Sequence, residues 1–161
     1  MGDPAHREHR VHRLLDLDAD PAAIAAALGS DPWLAPLVAA RPGLRVAGSL
    51  GAFEGAARAV VGQQVSVAAA RTLLGRLVAA FGRPVDDDWW EFPEPAVVAD
   101  ADPADLAAVG LTRARVRTLR AVAAALVDGS VDLARGADRA AAVDALLALP
   151  GVGPWTASYV A

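Results

Sequence analysis

The chain lacks cysteine and lysine, and each absence excludes a class of chemistry. Without cysteine there are no disulfides, thiolate nucleophiles, thiolate zinc sites or cysteine-bound iron–sulfur clusters. All 15 basic residues are arginine, so no side chain can form a Schiff base. Long apolar runs are lacking too: no window approaches the roughly 18 apolar residues of a membrane span. The N-terminal MGDPAHREHR has no apolar signal-peptide core, so we expect a cytoplasmic protein without a membrane partner.

The charge balance is acidic. A net charge of −4 and a pI of about 5.2 argue against a protein that coats nucleic acid by bulk charge. The only histidines are His6, His9 and His12, whose spacing is compatible with one helical face and hence with a metal site. A fraying start without a nearby fourth ligand favours a solvated segment instead. We therefore predict no metal ligand among the histidines.

Helix signals dominate, and strand signals are few: the chain has one isoleucine, one tyrosine and almost no alternating β-branched runs. Residues typical of helix N-caps precede the expected helices. These residues are Asp20, Asp31, Ser49, Ser66, Asp102, Thr112 and Asp138. No heptad repeat persists. The sequence therefore predicts an all-α fold, an orthogonal bundle of short helices.

Two helices have clear apolar faces. The helix that starts at Ser49 and ends near Gly62 places Phe53, Ala56, Ala57, Val60 and Val61 at helical spacing. The next helix, to about Phe81, places Val67, Ala70, Leu73, Leu74, Leu77 and Val78 inward. We expect a loop or fragmentary helix over residues 82–95.

The segment HRVHRLLDLDADP gives the only hint of extended chain. We interpret it as the remnant of an N-terminal β element. This interpretation divides the chain into an N-terminal segment, residues 1–20, left from a preceding α/β domain, and a helical core, residues 21–161.

The segment from Leu149 to Gly153 lies between two expected helices, with Pro150 ending the first and Pro154 opening the second. Gly151 and Gly153 permit positive φ, so consecutive N–H groups can point outward together and bind an anion at the helix N-terminus. A phosphate could bind there without a basic side chain, so the acidic pI does not exclude a phosphate ligand. The alternative is a plain helix–turn–helix corner, in which glycine and proline serve only sterically.

The string LPGVGPWTA (149–157) resembles the hairpin of the helix-hairpin-helix (HhH-GPD) DNA glycosylase superfamily, specifically the 3-methyladenine DNA glycosylase II branch. FEGAARAVVGQQVSVAAARTL (53–73) is similar to the helix pair that carries the residue wedged into DNA. RLLDLDADP (13–21), RPGLRVAGS (41–49) and DPADLAAVGLTRAR (102–115) match other parts of the core. The resemblance covers most of residues 13–161.

The resemblance implies a DNA-binding role for the hairpin. Gly151 and Gly153 would offer N–H groups to a DNA phosphate. The backbone carbonyls of Leu147, Leu149 and Val152 would hold a monovalent cation, Na⁺ or K⁺, that bridges to the same phosphate. No other cofactor is implied. The partner is double-stranded DNA containing alkylated bases, and no obligate protein partner is evident.

The resemblance also assigns the wedge and the base pocket. Gln64 occupies the wedge position with Gln63 beside it, although a polar linker between helices is the alternative. Trp155 and Tyr159 are four residues apart and share a helical face. They are either core residues or, as in the family, the lining of the pocket for the flipped base. Stacking there would gain a cation–π interaction with a cationic alkylated purine, worth about 0.5–2 kcal/mol.

The implied reaction is monofunctional hydrolysis of the N-glycosidic bond. In the relatives that also cut the DNA backbone, the nucleophilic lysine occupies a position that resembles that of Trp155 in this sequence. Hydrolysis passes through an oxocarbenium-like state that a carboxylate stabilises. The family's catalytic aspartate would lie beyond residue 161, so this chain supplies no catalytic residue and is expected to be truncated and inactive alone. Its own acids read as caps or surface charges: Asp128, Asp132, Asp138, Asp144 and Glu54.

Arg113, Arg117 and Arg120 share a helical face, with Arg115 adjacent. A solvated face is the first interpretation and auxiliary phosphate contact the second. Three functions stay open: a base-excision enzyme, a noncatalytic helix-hairpin-helix DNA-binding module, and a helical interaction domain in which the hairpin is only a corner.

Overall fold

A computed structural model describes residues 4–86, 89–134 and 136–161, which divide into two compact units, Met1–Gly51 and Ala52–Ala161. The expected boundary after residue 20 falls inside the first of these units. The Gly48 N–H donates to the Leu14 carbonyl at 2.9 Å, and Arg45 donates to the carbonyls of Asp16 and Ala19. These bonds tie residues 45–48 to residues 14–19 within the first unit.

The first unit contains helices α1 (Pro4–Leu15), α2 (Pro21–Gly29) and α3 (Ala35–Ala40). The expected β element is therefore wrong: that segment is helical to Leu15, since Val11 is its only β-branched residue and no alternation supports a strand. The Asp20 cap is confirmed, because its carboxylate accepts the N–H groups of Ala22 and Ala23 at 2.8 and 3.2 Å.

The start of α3 differs from the expectation. Asp31 accepts the N–H groups of Trp33 and Leu34 at 2.7 and 3.2 Å, which forms a turn, and α3 begins only at Ala35. Among the described side chains of this unit, none is fully buried. α2 and α3 pack on each other around an open, mostly apolar cleft of about 340 Å³. Its lining includes Ile24, Leu28, Leu34, Leu37, Leu44 and Val46.

The second unit confirms the predicted all-α fold. Its helices are α4 (Ala52–Gly62), α5 (Val67–Phe81), α6 (Pro95–Asp100), α7 (Pro103–Ala108), α8 (Arg113–Val127), α9 (Arg139–Leu147) and α10 (Pro154–Val160). Side-chain caps open four of them as predicted. The capping residues are Ser66, Asp102, Thr112 and Asp138. Ser49 is not a cap, because its hydroxyl donates to the Gly51 carbonyl at 2.8 Å, and α4 begins at Ala52.

The core of this unit is built around α8, which packs against α4, α6 and α7, while α4 also contacts α5 and α10. All five predicted core residues of α4 are buried. In α5 the expectation holds for Leu74 and Leu77, but Val67 is 77% exposed because the middle turns of the helix make the core contact. The largest fully buried side chains are Leu77, Leu106, Leu119, Leu146, Val60, Val61, Val98 and Val122.

A short antiparallel strand pair occupies part of the expected loop at 82–95. Strand β1 (Arg83–Pro84) pairs with β2 (Trp90–Glu91), with Arg83 opposite Glu91. After β2, Phe92 packs edge-on against Phe53 of α4, with ring centroids 6.0 Å apart. The strands were missed because two residues each are too short to show periodicity. No helix in the described part of the chain is long and apolar enough to cross a membrane.

Candidate nucleic-acid interface

The hairpin between α9 and α10 is a closed turn. The Leu149 N–H donates to the Leu146 carbonyl at 3.0 Å, which ends α9. The Val152 N–H then donates to the Leu149 carbonyl at 3.3 Å, and Val152 is buried. α10 follows with Pro154 in its first turn. The hairpin is thus anchored through Val152 while the residues on either side of it reach the surface.

The two hairpin glycines differ in conformation. Gly151 has φ +79°, as the sequence predicts, and a Cβ added there would lie 2.0 Å from the Thr118 hydroxyl of α8. Gly153 has φ −100° and ψ 174°, an extended conformation open to any residue, and its added Cβ would meet nothing within 4 Å. The expectation of positive φ therefore holds for Gly151 alone. Gly151 is required by packing, whereas the fold itself accepts a side chain at Gly153.

The backbone amides of the hairpin are available to a ligand. Over the described ranges, neither the Gly151 N–H nor the Gly153 N–H donates a hydrogen bond within the protein. The Leu149 carbonyl, one of the three predicted cation ligands, accepts the Val152 N–H and keeps a second lone pair. No group of three or more His, Cys, Asp or Glu residues that could hold a metal occurs among the described residues.

The histidines make no such group in the part of the chain that is described. His12 Nδ1 lies 2.8 Å from an Asp18 carboxylate oxygen. The side chains of His6 and His9 lie outside the described residues.

Trp155 and Tyr159 form an exposed aromatic platform on α10. Their rings are stacked, with centroids 5.1 Å apart and planes 16° from parallel. Trp155 is 63% exposed and Tyr159 is 65% exposed, so the interpretation of the pair as core residues is wrong. Helix α10 instead buries Thr156 and Ala157 on its other face. The platform presents a flat π surface to solvent, which is suited to stacking on another planar group.

The turn between α4 and α5 holds the two glutamines in different environments. Gln64 is exposed and adopts φ +54°, the left-handed region that residues with a Cβ seldom occupy. Gln63 is partly buried, and its side-chain amide donates to the Thr156 hydroxyl at 2.8 Å and to the Gly151 carbonyl at 3.5 Å. The polar turn is therefore bonded to the hairpin through Gln63, and Gln64 is the next, exposed residue of the turn.

The arginines of α8 do not form one solvated face. The Arg120 guanidinium donates to the Ala99 carbonyl at the end of α6, at 3.0 and 3.2 Å. Arg115 is partly buried and donates to the Gln63 carbonyl. Arg113 and Arg117 are exposed. The solvated-face interpretation is wrong for Arg120, because the end of α6 leaves carbonyls that need donors.

Most of the acidic residues considered above have structural partners. Asp128 accepts the Ser130 N–H at 2.8 Å, and hydrogen bonds from the Ser130 side chain and backbone lower the pKa of the Asp128 carboxyl. Asp132 accepts the Ala134 N–H at 2.8 Å, and Asp138 caps α9. Glu54 pairs with Arg58 one turn along α4, at 2.6 Å. These contacts fit the predicted roles as caps and surface charges.

Sequence reasoning missed two threonines that shape the site. Thr118 and Thr156 are the buried polar residues among the described side chains, at 3% and 4% exposure. Thr118 closes over Gly151, and Thr156 receives the Gln63 amide. A polar residue on an otherwise apolar helix face was the signal available for both, because burial of a hydroxyl requires a partner.

Comparisons with known proteins match this architecture. A family model described as the AlkA N-terminal domain matches residues 3–51, and one described as HhH-GPD superfamily base excision DNA repair protein matches residues 57–149. The first match coincides with the first compact unit, and the second lies within the second unit.

Two curated relatives align with nearly the whole chain. The probable bifunctional transcriptional activator/DNA repair enzyme AlkA of Mycobacterium tuberculosis is 50% identical over 156 residues, covering 94% of this chain and 31% of the relative. DNA-3-methyladenine glycosylase 2 of Escherichia coli is 39% identical over 154 residues, covering 94% of this chain and 52% of the relative. The chain thus spans 31% of the length of the first relative and 52% of the length of the second.

Solved structures share the fold. The 3-methyladenine DNA-glycosylase from Archaeoglobus fulgidus superposes with a TM-score of 0.77 at 24% identity, over 99% of this chain and 57% of that one. The 8-oxoguanine glycosylase/lyase of Clostridium acetobutylicum in its apo-form gives a TM-score of 0.79 at 17% identity, over 99% of this chain and 57% of that one. Because the HhH-GPD model matches more than half of the sequence, the chain belongs to the HhH-GPD superfamily of base excision DNA repair proteins.

Proposed function

We propose that this chain is the DNA-recognition part of a monofunctional glycosylase that removes alkylated, 3-methyladenine-type bases from double-stranded DNA. The observation that carries the proposal is the exposed, stacked pair Trp155–Tyr159, which begins one residue after the Gly151–Pro154 hairpin. Two stacked, exposed rings present π faces on which a planar group such as an extruded base can stack.

The phosphate grip rests on the hairpin amides. The N–H groups of Gly151 and Gly153, free of partners among the described residues, would donate to one DNA phosphate. The carbonyls of Leu147, Leu149 and Val152 would hold Na⁺ or K⁺ beside that phosphate. A grip made of backbone dipoles and a bound cation explains how a chain with a net charge of −4 binds a polyanion.

The wedge residue and the aromatic platform would have different roles in base flipping. Gln64, exposed on its left-handed turn, would enter the space that the flipped base leaves. Trp155 and Tyr159 would then stack on the extruded base, and their π faces favour a base that alkylation has made cationic. A tryptophan at position 155 and the absence of lysine from the sequence both support monofunctional chemistry, because an imine with the sugar needs an amine.

The hydrolytic step needs a carboxylate beside the oxocarbenium-like sugar. Asp128, Asp132 and Asp138 each satisfy local backbone N–H groups instead. We therefore propose that residues 1–161 supply recognition and that the catalytic carboxylate lies outside them. The same observation supports a second function, a noncatalytic DNA-binding module that keeps the grip and the wedge.

The test measures binding and base release separately. Fluorescence anisotropy compares the chain's affinity for a duplex treated with a methylating agent and for the same duplex untreated. We expect tighter binding to the methylated duplex and no release of 3-methyladenine by residues 1–161. A chain that also contains the relatives' additional length should release the base if the enzyme proposal holds, and should only bind if the module proposal holds. Equal affinity for both duplexes would contradict both proposals.

A further inference from the structure

A polar network joins the α4–α5 turn to the hairpin across a long stretch of sequence. The Gln63 amide contacts the Thr156 hydroxyl at 2.8 Å and the Gly151 carbonyl at 3.5 Å, over sequence separations of 93 and 88 residues. Helix α4, which precedes the turn, also packs against α10, which follows the hairpin. Gln63 therefore bonds to both ends of the turn that leads into α10.

The backbone of Gln63 makes a further contact, with helix α8. Arg115 of α8 donates from its guanidinium to the Gln63 carbonyl. The same helix carries Thr118, whose hydroxyl fills the space where a Gly151 side chain would lie. α8 is thus a common support for the turn and the hairpin, and Gln63 is the residue in contact with both.

This arrangement bears on the next residue, Gln64. A left-handed conformation in a residue with a Cβ costs about 1–2 kcal/mol and persists only where neighbours hold it. Gln63 precedes Gln64, and the Ser66 hydroxyl cap of α5 follows it. The residues on both sides of Gln64 are therefore held by hydrogen bonds. They fix the backbone that sets the direction of the exposed Gln64 side chain.

We propose that Gln63 is a positioning residue that couples the Gln64 wedge to the hairpin, so that phosphate contact and base displacement occur as one event. The proposal rests on the proposed function above. The coupling predicts that loss of the Gln63–Thr156 bond weakens binding to a site with a displaced base more than it weakens binding to intact duplex.

The experiment uses a duplex that contains a tetrahydrofuran abasic-site analogue, with 2-aminopurine in the opposite strand at that site. Entry of the wedge unstacks 2-aminopurine and raises its fluorescence. Anisotropy on the same duplex and on an undamaged one gives the lesion preference. The variants are Gln63→Ala and Thr156→Val, which remove one partner each. Thr72→Val is the matched control, because Thr72 is exposed and its hydroxyl bonds only within α5, to the Ala68 carbonyl at 3.1 Å.

We expect Gln63→Ala and Thr156→Val each to lower the lesion preference and the fluorescence rise by roughly 2- to 10-fold, the range for one neutral hydrogen bond. The double variant should be no worse than Gln63→Ala, because Gln63→Ala alone already removes the bond to Thr156. Thr72→Val should match the unsubstituted chain. Variants with the melting temperature of the unsubstituted chain have kept their fold, so their loss of lesion preference reports on positioning.

Gln63→Glu is a second test at the same, partly buried position. Its carboxylate can accept from the Thr156 hydroxyl but cannot donate to the Gly151 carbonyl, so we expect a lesion preference between those of the unsubstituted chain and Gln63→Ala. Unchanged preference in all Gln63 variants, or additive losses in the double variant, would overturn the coupling. If Gln64→Ala also has no effect, or the unsubstituted chain does not distinguish the two duplexes, the proposed function itself fails.

Discussion

Substitution of the two hairpin glycines by alanine should separate folding from DNA binding. Gly151→Ala places a Cβ at φ +79°, which costs about 1–2 kcal/mol. The same Cβ would lie 2.0 Å from the Thr118 hydroxyl, and relief of such overpacking typically costs about 1–3 kcal/mol. The sum, about 2–5 kcal/mol, is a large part of the 5–15 kcal/mol that stabilises an average domain. We expect the melting temperature to fall by about 5–15 °C.

Gly153→Ala is the matched control for folding. The residue is extended and its Cβ meets nothing within 4 Å, so the folded state accepts it. Restriction of the unfolded chain adds about 0.4–1 kcal/mol of stability, and a poorer N-cap residue removes a similar amount. The melting temperature should therefore stay nearly constant. The methyl group would stand where the phosphate approaches, and we expect DNA affinity to fall about tenfold, or about 1.4 kcal/mol.

Thermal melting and anisotropy titrations at one salt concentration measure both effects. Thr118→Ala provides the internal test, because removal of the hydroxyl leaves the Thr118 Cβ 3.3 Å from the new methyl group. In the Gly151→Ala background it should recover at least about 1 kcal/mol, while the cost of positive φ remains. A Gly151→Ala chain that melts like the unsubstituted protein would refute the packing argument. Unchanged DNA affinity in Gly153→Ala would refute the phosphate grip.

Two other predictions concern side chains at the surface. Trp155→Ala and Tyr159→Ala should leave the melting temperature nearly unchanged, since both rings are more than 60% exposed, and should weaken binding to methylated duplex by about 1–3 kcal/mol, measured by anisotropy. Binding equal to that of the unsubstituted chain would remove the platform from the site. Arg120→Ala should lower the free energy of unfolding by about 1.5–3 kcal/mol in urea unfolding, because the Ala99 carbonyl loses its charged donor. Arg117 is exposed on α8, so Arg117→Ala should change the free energy of unfolding by less than about 0.5 kcal/mol. Equal effects of the two substitutions would contradict the assigned contact.

Local chemistry explains which structural predictions succeeded. The caps at Asp20, Ser66 and Asp138 depend on a side chain and the N–H groups two or three residues later, so the sequence contains all the necessary partners. Ser49 shows the limit of the same rule, because its hydroxyl donates to the Gly51 carbonyl instead of accepting a helix N–H, and α4 begins only at Ala52. A hydroxyl is both donor and acceptor, so its identity alone does not choose between the two roles.

Site residues were harder to assign where their partners are distant. A pattern of arginines four or three apart predicts a shared face but not that Arg120 reaches the end of α6 or that Arg115 reaches Gln63. The i, i+4 aromatic pair shows the same limit, since helical spacing puts Trp155 and Tyr159 together without saying whether that face is buried. The tertiary contacts of Thr156 decide it, because they turn the opposite face of α10 inward.

The hairpin's design follows from this division of roles. Gly151 is fixed by Thr118, Val152 is buried, and Thr156 is bonded to Gln63, so three residues of the segment are held by the core. Gly153 and Trp155, between these residues, and Tyr159, one turn after Thr156, are held in place by these neighbours and remain open to solvent. A rigid backbone with exposed donors and an exposed aromatic platform loses little entropy on binding. Anchoring and contact thus alternate along one short segment, and this explains why substitutions there should divide into those that affect folding and those that affect DNA.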